Sequence, residues 1–87
     1  MRKEYVDVYA IHHSESKVVM PKIIWKDGRK FKVDHADKPD RVAALKVGGT
    51  GLRYKVTVSN EDEGLISWQT YIWLEDDGIS WFVEARD

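Results

Sequence analysis

The 87-residue chain contains no cysteine. This absence excludes a disulfide framework, a thiolate metal site and a cysteine nucleophile, so the fold must depend on packing alone. A protein of the reducing cytoplasm fits this composition. A chain of this length buries only about 60 to 65% of its unfolded surface, so its core must be well packed. It has no room for a second domain, and we expect residues 1–87 to form a single domain.

The chain also lacks a long apolar run near its start. The first sixteen residues, MRKEYVDVYAIHHSES, begin with basic side chains, but Glu4 and Asp7 interrupt them before any extended hydrophobic stretch, and they lack a small-residue cleavage site. We therefore expect neither a signal peptide nor a membrane-spanning segment.

A strong excess of one charge is missing too, because the net charge is −1. This average hides an asymmetry along the chain. Residues 17–55 carry eleven Lys and Arg against four Asp, a balance of +7, whereas residues 56–87 carry one Arg against eight acids, a balance of −7. Such a dipole influences the choice of partner, provided that strands from the two halves do not interleave in space.

The apolar residues recur with a period close to two, which predicts an all-β protein with at most one helical turn near residues 40–46. Asp27-Gly28 and Asp77-Gly78 each separate two apolar runs and predict tight hairpins, and the polar segment NEDEG (60–64) predicts a third. Five or six antiparallel strands in so short a chain leave open edges unless they curl. We therefore predict a small meander curled into an SH3-like or OB-like barrel.

The register follows from counting outward from each turn, because antiparallel partners face the same side of a sheet. Around Asp77-Gly78 the count gives two core pairs and two outward pairs, which are Leu74–Trp81 and Ile72–Val83, and Trp73–Phe82 and Tyr71–Glu84. Around NEDEG it gives four core pairs, which are Val58–Ile66, Val56–Trp68, Tyr54–Thr70 and Leu52–Ile72. The outward side then collects a mixture of aromatic and charged residues: Arg53, Lys55, Gln69, Tyr71, Trp73, Phe82 and Glu84.

The hairpin at Asp27-Gly28 shows the same mixture. Counting from a two-residue turn pairs Ile24 with Phe31 on the inner side. On the outer side it pairs Trp25 with Lys30 and Ile23 with Lys32, so a lysine is able to lie over the Trp25 ring. A three-residue loop would slip this register by one residue and exchange the two faces.

The segment LKVGGTGLRY (45–54) holds three glycines, Gly48, Gly49 and Gly51. Their spacing matches neither a P-loop nor a dinucleotide-binding fingerprint, and a strand rather than a helix follows, so no helix dipole is available for an anion. Two interpretations remain. The glycines permit positive φ or a bulge before the strand at Leu52, or their amides form a weak anion site beside Lys46 and Arg53.

The chain offers little for catalysis or metal binding. Neighbouring His12 and His13 point to opposite faces of a strand and cannot bind one metal there, and His35 ends another strand. The acidic runs EDE (61–63) and EDD (75–77) fall at hairpin tips, where they favour solubility. No serine has an obvious base and orienting acid, so we predict a non-enzymatic protein without a metal or cofactor.

The outward mixture of aromatics and cations is typical of small barrels that bind single-stranded nucleic acid, since bases stack on the rings and cations neutralise the phosphates. The predicted nucleic-acid-binding residues are Trp25, Lys30, Lys32, Lys46, Arg53, Lys55, Tyr71 and Trp73. The alternative is that residues 39–47 or a second copy of the chain cover Tyr71, Trp73 and Phe82, which would make this a protein-interaction or homodimerisation module. The expected partner is thus nucleic acid or another protein, with no membrane involved, and the expected state is a monomer or a homodimer.

Three stretches, WKDGRKFKVD (25–34), RVAALKVGGTGLRYKVTV (41–58) and WFVE (81–84), resemble a family of small, functionally uncharacterised proteins of clostridia-like Firmicutes. The family patterns are W-x-D-G, K-x-G-G-x-G-x-R-Y and W-F-V-E, and Ala44 stands where the family tends to have Ser. The resemblance implies that one motif links eleven positions and names no catalytic residue among them. These positions are Trp25, Asp27, Gly28, Lys46, Gly48, Gly49, Gly51, Arg53, Tyr54, Trp81 and Phe82.

Overall fold

The computed structural model describes residues 2–43, 50–60 and 66–86. These residues form one antiparallel sheet whose strands are β1 (Arg2–His12), β2 (Val19–Lys26), β3 (Arg29–Ala36), β4 (Asp40–Ala43), β5 (Thr50–Asn60), β6 (Ile66–Glu75) and β7 (Trp81–Ala85). Over the same ranges the structure has no helix suited to crossing a membrane. The all-β prediction is confirmed.

Six of these strands close into a barrel. Neighbouring strands pair in the order β3, β2, β1, β7, β6 and β5, and the β3–β5 ladder completes the ring. The short β4 is added beside β3 on the same edge of β5, because β5 pairs with β4 near its start and with β3 near its end. The predicted antiparallel meander curled into a small barrel is therefore confirmed, and closure satisfies strand edges that a flat sheet would leave open.

The sequence allows at most one helical turn near residues 40–46, and the structure has none in the part of this segment that it describes. Asp40–Ala43 is a strand that pairs with Thr50–Arg53. Pro39 lies between β3 and β4 and lacks an amide hydrogen, so the ladder along β5 is interrupted there and then resumes. Pairing with the free edge of β5 outweighs the weak helical preference of so short a segment. Residues 44–46 lie outside the described residues.

The β2–β3 hairpin has the predicted register. All three predicted pairs form, namely Ile24–Phe31, Trp25–Lys30 and Ile23–Lys32. Asp27 and Gly28 have φ values of 54° and 74°, as a two-residue turn of type I′ requires. Trp25 and the two lysines opposite β2 therefore lie on the outer face.

The predicted β5–β6 register is wrong by two residues. Val58 lies opposite Trp68, and Ile66 lies opposite Asn60 instead of Val58. The ladder includes Asn60, whose backbone groups the predicted register leaves in the loop. A shift of two residues keeps every side chain on its own face, so the division into inner and outer residues holds.

The β6–β7 hairpin is only partly as predicted. Trp73–Phe82 and Leu74–Trp81 pair as expected, but the continuation through Ile72–Val83 and Tyr71–Glu84 does not form. Beyond these two pairs β7 follows β1, with Ala85 opposite Arg2, while β6 follows β5 as far as Ile66. The two strands therefore diverge toward the end of the barrel that holds Ala85 and Ile66, which we call the barrel mouth.

Large side chains fill the interior of the barrel. Tyr54 is fully buried, its hydroxyl donates to the Val19 carbonyl, and its ring centroid lies 5.3 Å from that of Trp81. Burial also raises the pKa of Tyr54. The buried core consists of Ile24, Val33, Tyr54, Val56, Val58, Ile72, Leu74 and Trp81. Tyr54 faces the core as expected, which leaves the alternate residues of each strand for the outer face.

Gly51 occupies a position near the start of β5 where a side chain has no room. A Cβ atom there would lie 2.5 Å from the carbonyl oxygen of Leu74 on β6. The glycines with positive φ in the described ranges are Gly28 and Gly78. The expectation of positive φ or a bulge is thus wrong for Gly51, which instead permits close approach of two backbones. Lys46, Gly48 and Gly49 lie outside the described residues.

Candidate nucleic-acid interface on the outer face

The first group of predicted binding residues lies on the β2–β3 hairpin. Trp25, Lys30 and Lys32 are all exposed, and we call them the hairpin cluster. Trp25 is 40% exposed and lies opposite Lys30. A flat ring with a lysine on the neighbouring strand is suited to hold a base and an adjacent phosphate.

The second group, which we call the central cluster, consists of Arg53, Lys55, Tyr71 and Trp73. The β5–β6 ladder places Lys55 opposite Tyr71 and Arg53 opposite Trp73. The Arg53 guanidinium lies over the Tyr71 ring, 4.6 Å from its centroid. This cation–π contact gives the half-buried Arg53 a structural role, because it holds the side chain against the sheet.

Trp73 and Phe82 form a small core of their own on the outer face. Their rings stack 5.5 Å apart with an interplanar angle of 8°, and Tyr5 meets Phe82 edge-on at 6.2 Å. Trp73 is only 5% exposed and Phe82 only 1%. In this conformation the Trp73 ring is therefore closed to a stacking base, whereas the neighbouring Tyr71 is 41% exposed.

A polar rim borders this stack on its β1 side. The Lys3 ammonium lies 4.8 Å from the centroid of Phe82 and 3.2 Å from a carboxylate oxygen of Glu75. A hydrogen bond with Glu75 is also the main cause of a raised pKa for Tyr5. Glu75 is thus held between a lysine and a tyrosine.

The two clusters occupy the same outer face on different strand pairs. Lys32 lies opposite Ser59 on β5, and Ser59 is four residues from Lys55, which corresponds to about 13 Å along the strand. Lys46, the remaining predicted contact, lies outside the described residues. In the described part of the chain, the rings that make cation–π contacts are those of Tyr71 and Phe82. The expected lysine over the Trp25 ring is not found there.

The charge asymmetry of the sequence persists around the barrel. The basic segment supplies β2, β3, β4 and most of β5, which are neighbours in the sheet, while the acidic segment supplies β6 and β7. An ion pair connects the two sides, since Arg41 lies 2.6 Å from Asp76. Strands of like charge border the hairpin cluster on the β3 side, whereas Asp7 of β1 lies opposite Trp25 on the other side.

Comparison with protein-family models, curated proteins and solved structures finds no match for this chain. The geometry of the described residues therefore carries the functional argument. In these ranges no group of three His, Asp or Glu side chains is arranged to hold a metal ion.

Sequence reasoning missed two exposed aromatic residues of β1. Tyr5 and Tyr9 are 59% and 55% exposed and point outward, while Val6 and Val8 pack against the core. Because Tyr9 lies opposite Ile23, it borders the strand that carries Trp25. The alternation of apolar and polar residues in β1 indicates that both tyrosines share a face. No Asp-Gly turn lies next to β1 to show whether that face is the inner or the outer one.

Proposed function

We propose that the protein is a non-enzymatic cytoplasmic module that binds single-stranded nucleic acid on the outer face of its barrel. The observation that carries the proposal is the hairpin cluster, where an exposed Trp25 ring lies opposite Lys30 with Lys32 two residues further along β3. A base stacks on the ring, and the lysines neutralise the phosphates on either side of it.

The central cluster extends this surface. Tyr71 offers a second exposed ring, and Lys55 lies opposite it on β5. Trp73 is buried against Phe82 on the same outer face, and Arg53 packs over the Tyr71 ring. Both residues therefore stabilise the surface without contacting the nucleic acid. The contacts with nucleic acid then come from Trp25 and Tyr71 as stacking platforms and from Lys30, Lys32 and Lys55 as phosphate contacts.

Fluorescence titration with a mixed-sequence single-stranded oligonucleotide tests the proposal. Stacking on Trp25 should quench tryptophan emission, and Trp25→Phe should remove most of the quenching. Trp68→Phe is the matched control, because Trp68 is equally exposed, at 40%, but faces the inside of the barrel at its mouth. Emission that stays unchanged at high micromolar oligonucleotide and low salt would contradict the proposal.

The salt dependence provides a second readout. Three lysine contacts predict a slope of log K against log salt of about −2 for a single strand, and replacing Lys30 and Lys32 together by Ala should flatten it by about 1.4. Lys22 is an exposed lysine of β2 outside both clusters, so Lys22→Ala is the control. It should change the slope by less than a third of the change that the double substitution causes. Equal slopes for all three proteins would exclude the lysines as phosphate contacts.

A protein partner is the second candidate, and the exposed apolar residues of β1 favour it. Tyr5, Tyr9 and Ile11 lie on the outside of this strand, next to the strand that carries Trp25, and the exposed Asp7 lies between the two tyrosines. A group of exposed apolar side chains bordered by polar ones is a common mark of protein interfaces. Light scattering at several concentrations distinguishes this candidate, since a dimer lost on Tyr9→Ala would identify the face as a self-association surface.

A further inference from the structure

The divergence of β6 and β7 opens a cavity at the barrel mouth. The two strands pair at Trp73–Phe82 and Leu74–Trp81 and separate beyond them. A cavity of about 270 Å³ lies in the gap. Its walls include Phe31, Val58, Trp68, Thr70, Val83 and Glu84. This volume is near the lower limit of small-molecule pockets, roughly 300 Å³, so it suits a ligand with a single ring.

One wall of the cavity is aromatic and open. Phe31 and Trp68 meet edge to face, with centroids 5.6 Å apart and planes at 83°. Trp68 lies on the inner side of β6, as Ile72 and Leu74 do, yet it is 40% exposed while they are buried. An inward-facing tryptophan without cover offers an apolar surface to a ligand that enters the mouth.

Glu84, an outward-facing residue of β7, borders the gap and is one of the residues that line the cavity. One carboxylate oxygen of Glu84, Oε2, is shielded from solvent and accepts no hydrogen bond in the described part of the chain. Buried carboxylate oxygens without partners are costly, so this atom favours a ligand that donates a hydrogen bond, above all one with positive charge.

The lysine at the same mouth is already paired. Lys26 Nζ lies 2.9 Å from a carboxylate oxygen of Asp27 and 3.0 Å from one of Glu4. These two hydrogen bonds, that of Asp27 first, raise the pKa of Lys26. Since its ammonium has two carboxylate partners, Lys26 is poorly placed to attract an anionic ligand.

We infer that the barrel mouth binds a small primary amine with an aromatic body, whose ring packs on Phe31 and Trp68 and whose ammonium donates to Glu84. The aromatic wall accounts for the body of the ligand, and the unpartnered carboxylate oxygen accounts for its charge. This site lies in the gap between β6 and β7 at the barrel mouth and uses none of the residues proposed to contact nucleic acid.

Three probes that share a phenylethyl group test the inference by NMR titration of the ¹⁵N-labelled protein: 2-phenylethylamine, 2-phenylethanol and 3-phenylpropionate. The amine should shift the Trp68 indole N–H and the amides of Thr70 and Val83. The propionate should bind at least about tenfold more weakly, because it replaces a charge-assisted hydrogen bond with repulsion. Equal affinity for the acid and the amine, or shifts that avoid these residues, would overturn the inference.

Two substitutions separate the charge contact from the apolar contact. Glu84→Gln should weaken amine binding about tenfold and leave the alcohol unaffected, since it removes the charge but keeps the shape. Thr70→Leu should weaken all three probes by filling the cavity. Glu15→Gln, in the exposed turn at the opposite end of the barrel, is the matched control and should change nothing. Amine binding that is the same in Glu84→Gln as in the parent protein would exclude the carboxylate as its partner.

Discussion

Trp73 and Phe82 stack in parallel on the outside of the barrel, with ring centroids 5.5 Å apart. They lie opposite each other in one of the two pairs that join β6 to β7, so the stack forms where this hairpin is held together. This barrel thus has two apolar clusters, one inside and one outside. The outer cluster stabilises β6 and β7, the strands that border the mouth.

Phe82→Ala should cost about 3 to 5 kcal/mol of unfolding free energy, as expected for a fully buried aromatic side chain. Chemical denaturation followed by circular dichroism measures this loss. Tyr9→Ala, an exposed aromatic on β1, is the control and should change stability by about 0.5 kcal/mol or less. A similar small change for Phe82→Ala would mean that the outer stack does not support the fold.

Gly51→Ala should be more destabilising than Gly28→Ala. At Gly51 the new Cβ atom meets a backbone carbonyl that cannot move without opening the β5–β6 ladder, so we expect a loss of about 3 kcal/mol. At Gly28 the space is open and only the positive φ is unfavourable, which costs about 1 kcal/mol. Denaturation midpoints of the two variants decide the order, and equal midpoints would contradict the close-approach explanation.

Much of this fold could be predicted from sequence because alternation and Asp-Gly turns are local signals. Two-residue periodicity identified most strands, and the turn at Asp27-Gly28 fixed a register correctly. The β5–β6 slip by two residues escaped prediction because it leaves the same side chains inside, and alternation cannot distinguish the two registers. Strand β4 escaped it because its pairing depends on the distant edge of β5.

The candidate site was less predictable than the fold. Tyr71 and Trp73 are two residues apart on one strand and share a face, yet one is 41% exposed and the other 5%. Exposure here depends on what lies on neighbouring strands, namely Phe82 beside Trp73 and an arginine over Tyr71. Alternation gives the face of a residue but not its cover, so it could not show which rings are open to a ligand.

Tyr54→Phe should destabilise the protein by about 1 to 3 kcal/mol, because it leaves the Val19 carbonyl without its hydroxyl donor inside the barrel. Tyr71→Phe is the matched control, since the Tyr71 ring is exposed, and should have little effect. Thermal unfolding measures both. A loss for Tyr71→Phe as large as that for Tyr54→Phe would show that the buried hydrogen bond is not the cause.

The same tyrosine predicts a loss of stability at alkaline pH. Burial raises the pKa of Tyr54 in the folded state above its ordinary value of 10.0. A raised pKa contributes stability below the unfolded value, and this contribution disappears as the pH rises through the folded value. Stability should therefore fall above about pH 10 in the parent protein and fall less steeply in Tyr54→Phe. Parallel curves for the two proteins would contradict this linkage.

At acid pH the turn between β6 and β7 should be sensitive to protonation of Asp77. The Ser80 hydroxyl, followed by the amides of Ser80 and Ile79, lowers the pKa of this carboxylate below its ordinary value of 3.8. A lowered pKa contributes stability above the unfolded value, and this contribution disappears as the pH falls through the folded value. Asp77→Ala should therefore reduce the melting temperature at pH 7, with a difference from the parent protein that shrinks below about pH 4.

Two further proteins make this acid-pH prediction specific to the turn. Ser80→Ala removes the donor with the largest effect, so it should move the titration midpoint of Asp77, followed by carboxyl ¹³C NMR, back toward 3.8. Asp34→Ala removes an exposed acid from β3 instead and should leave the titration midpoint of Asp77 unchanged. An Asp77 midpoint that Ser80→Ala leaves in place would mean that the hydroxyl does not stabilise the carboxylate, and the turn would then depend on the two amides alone.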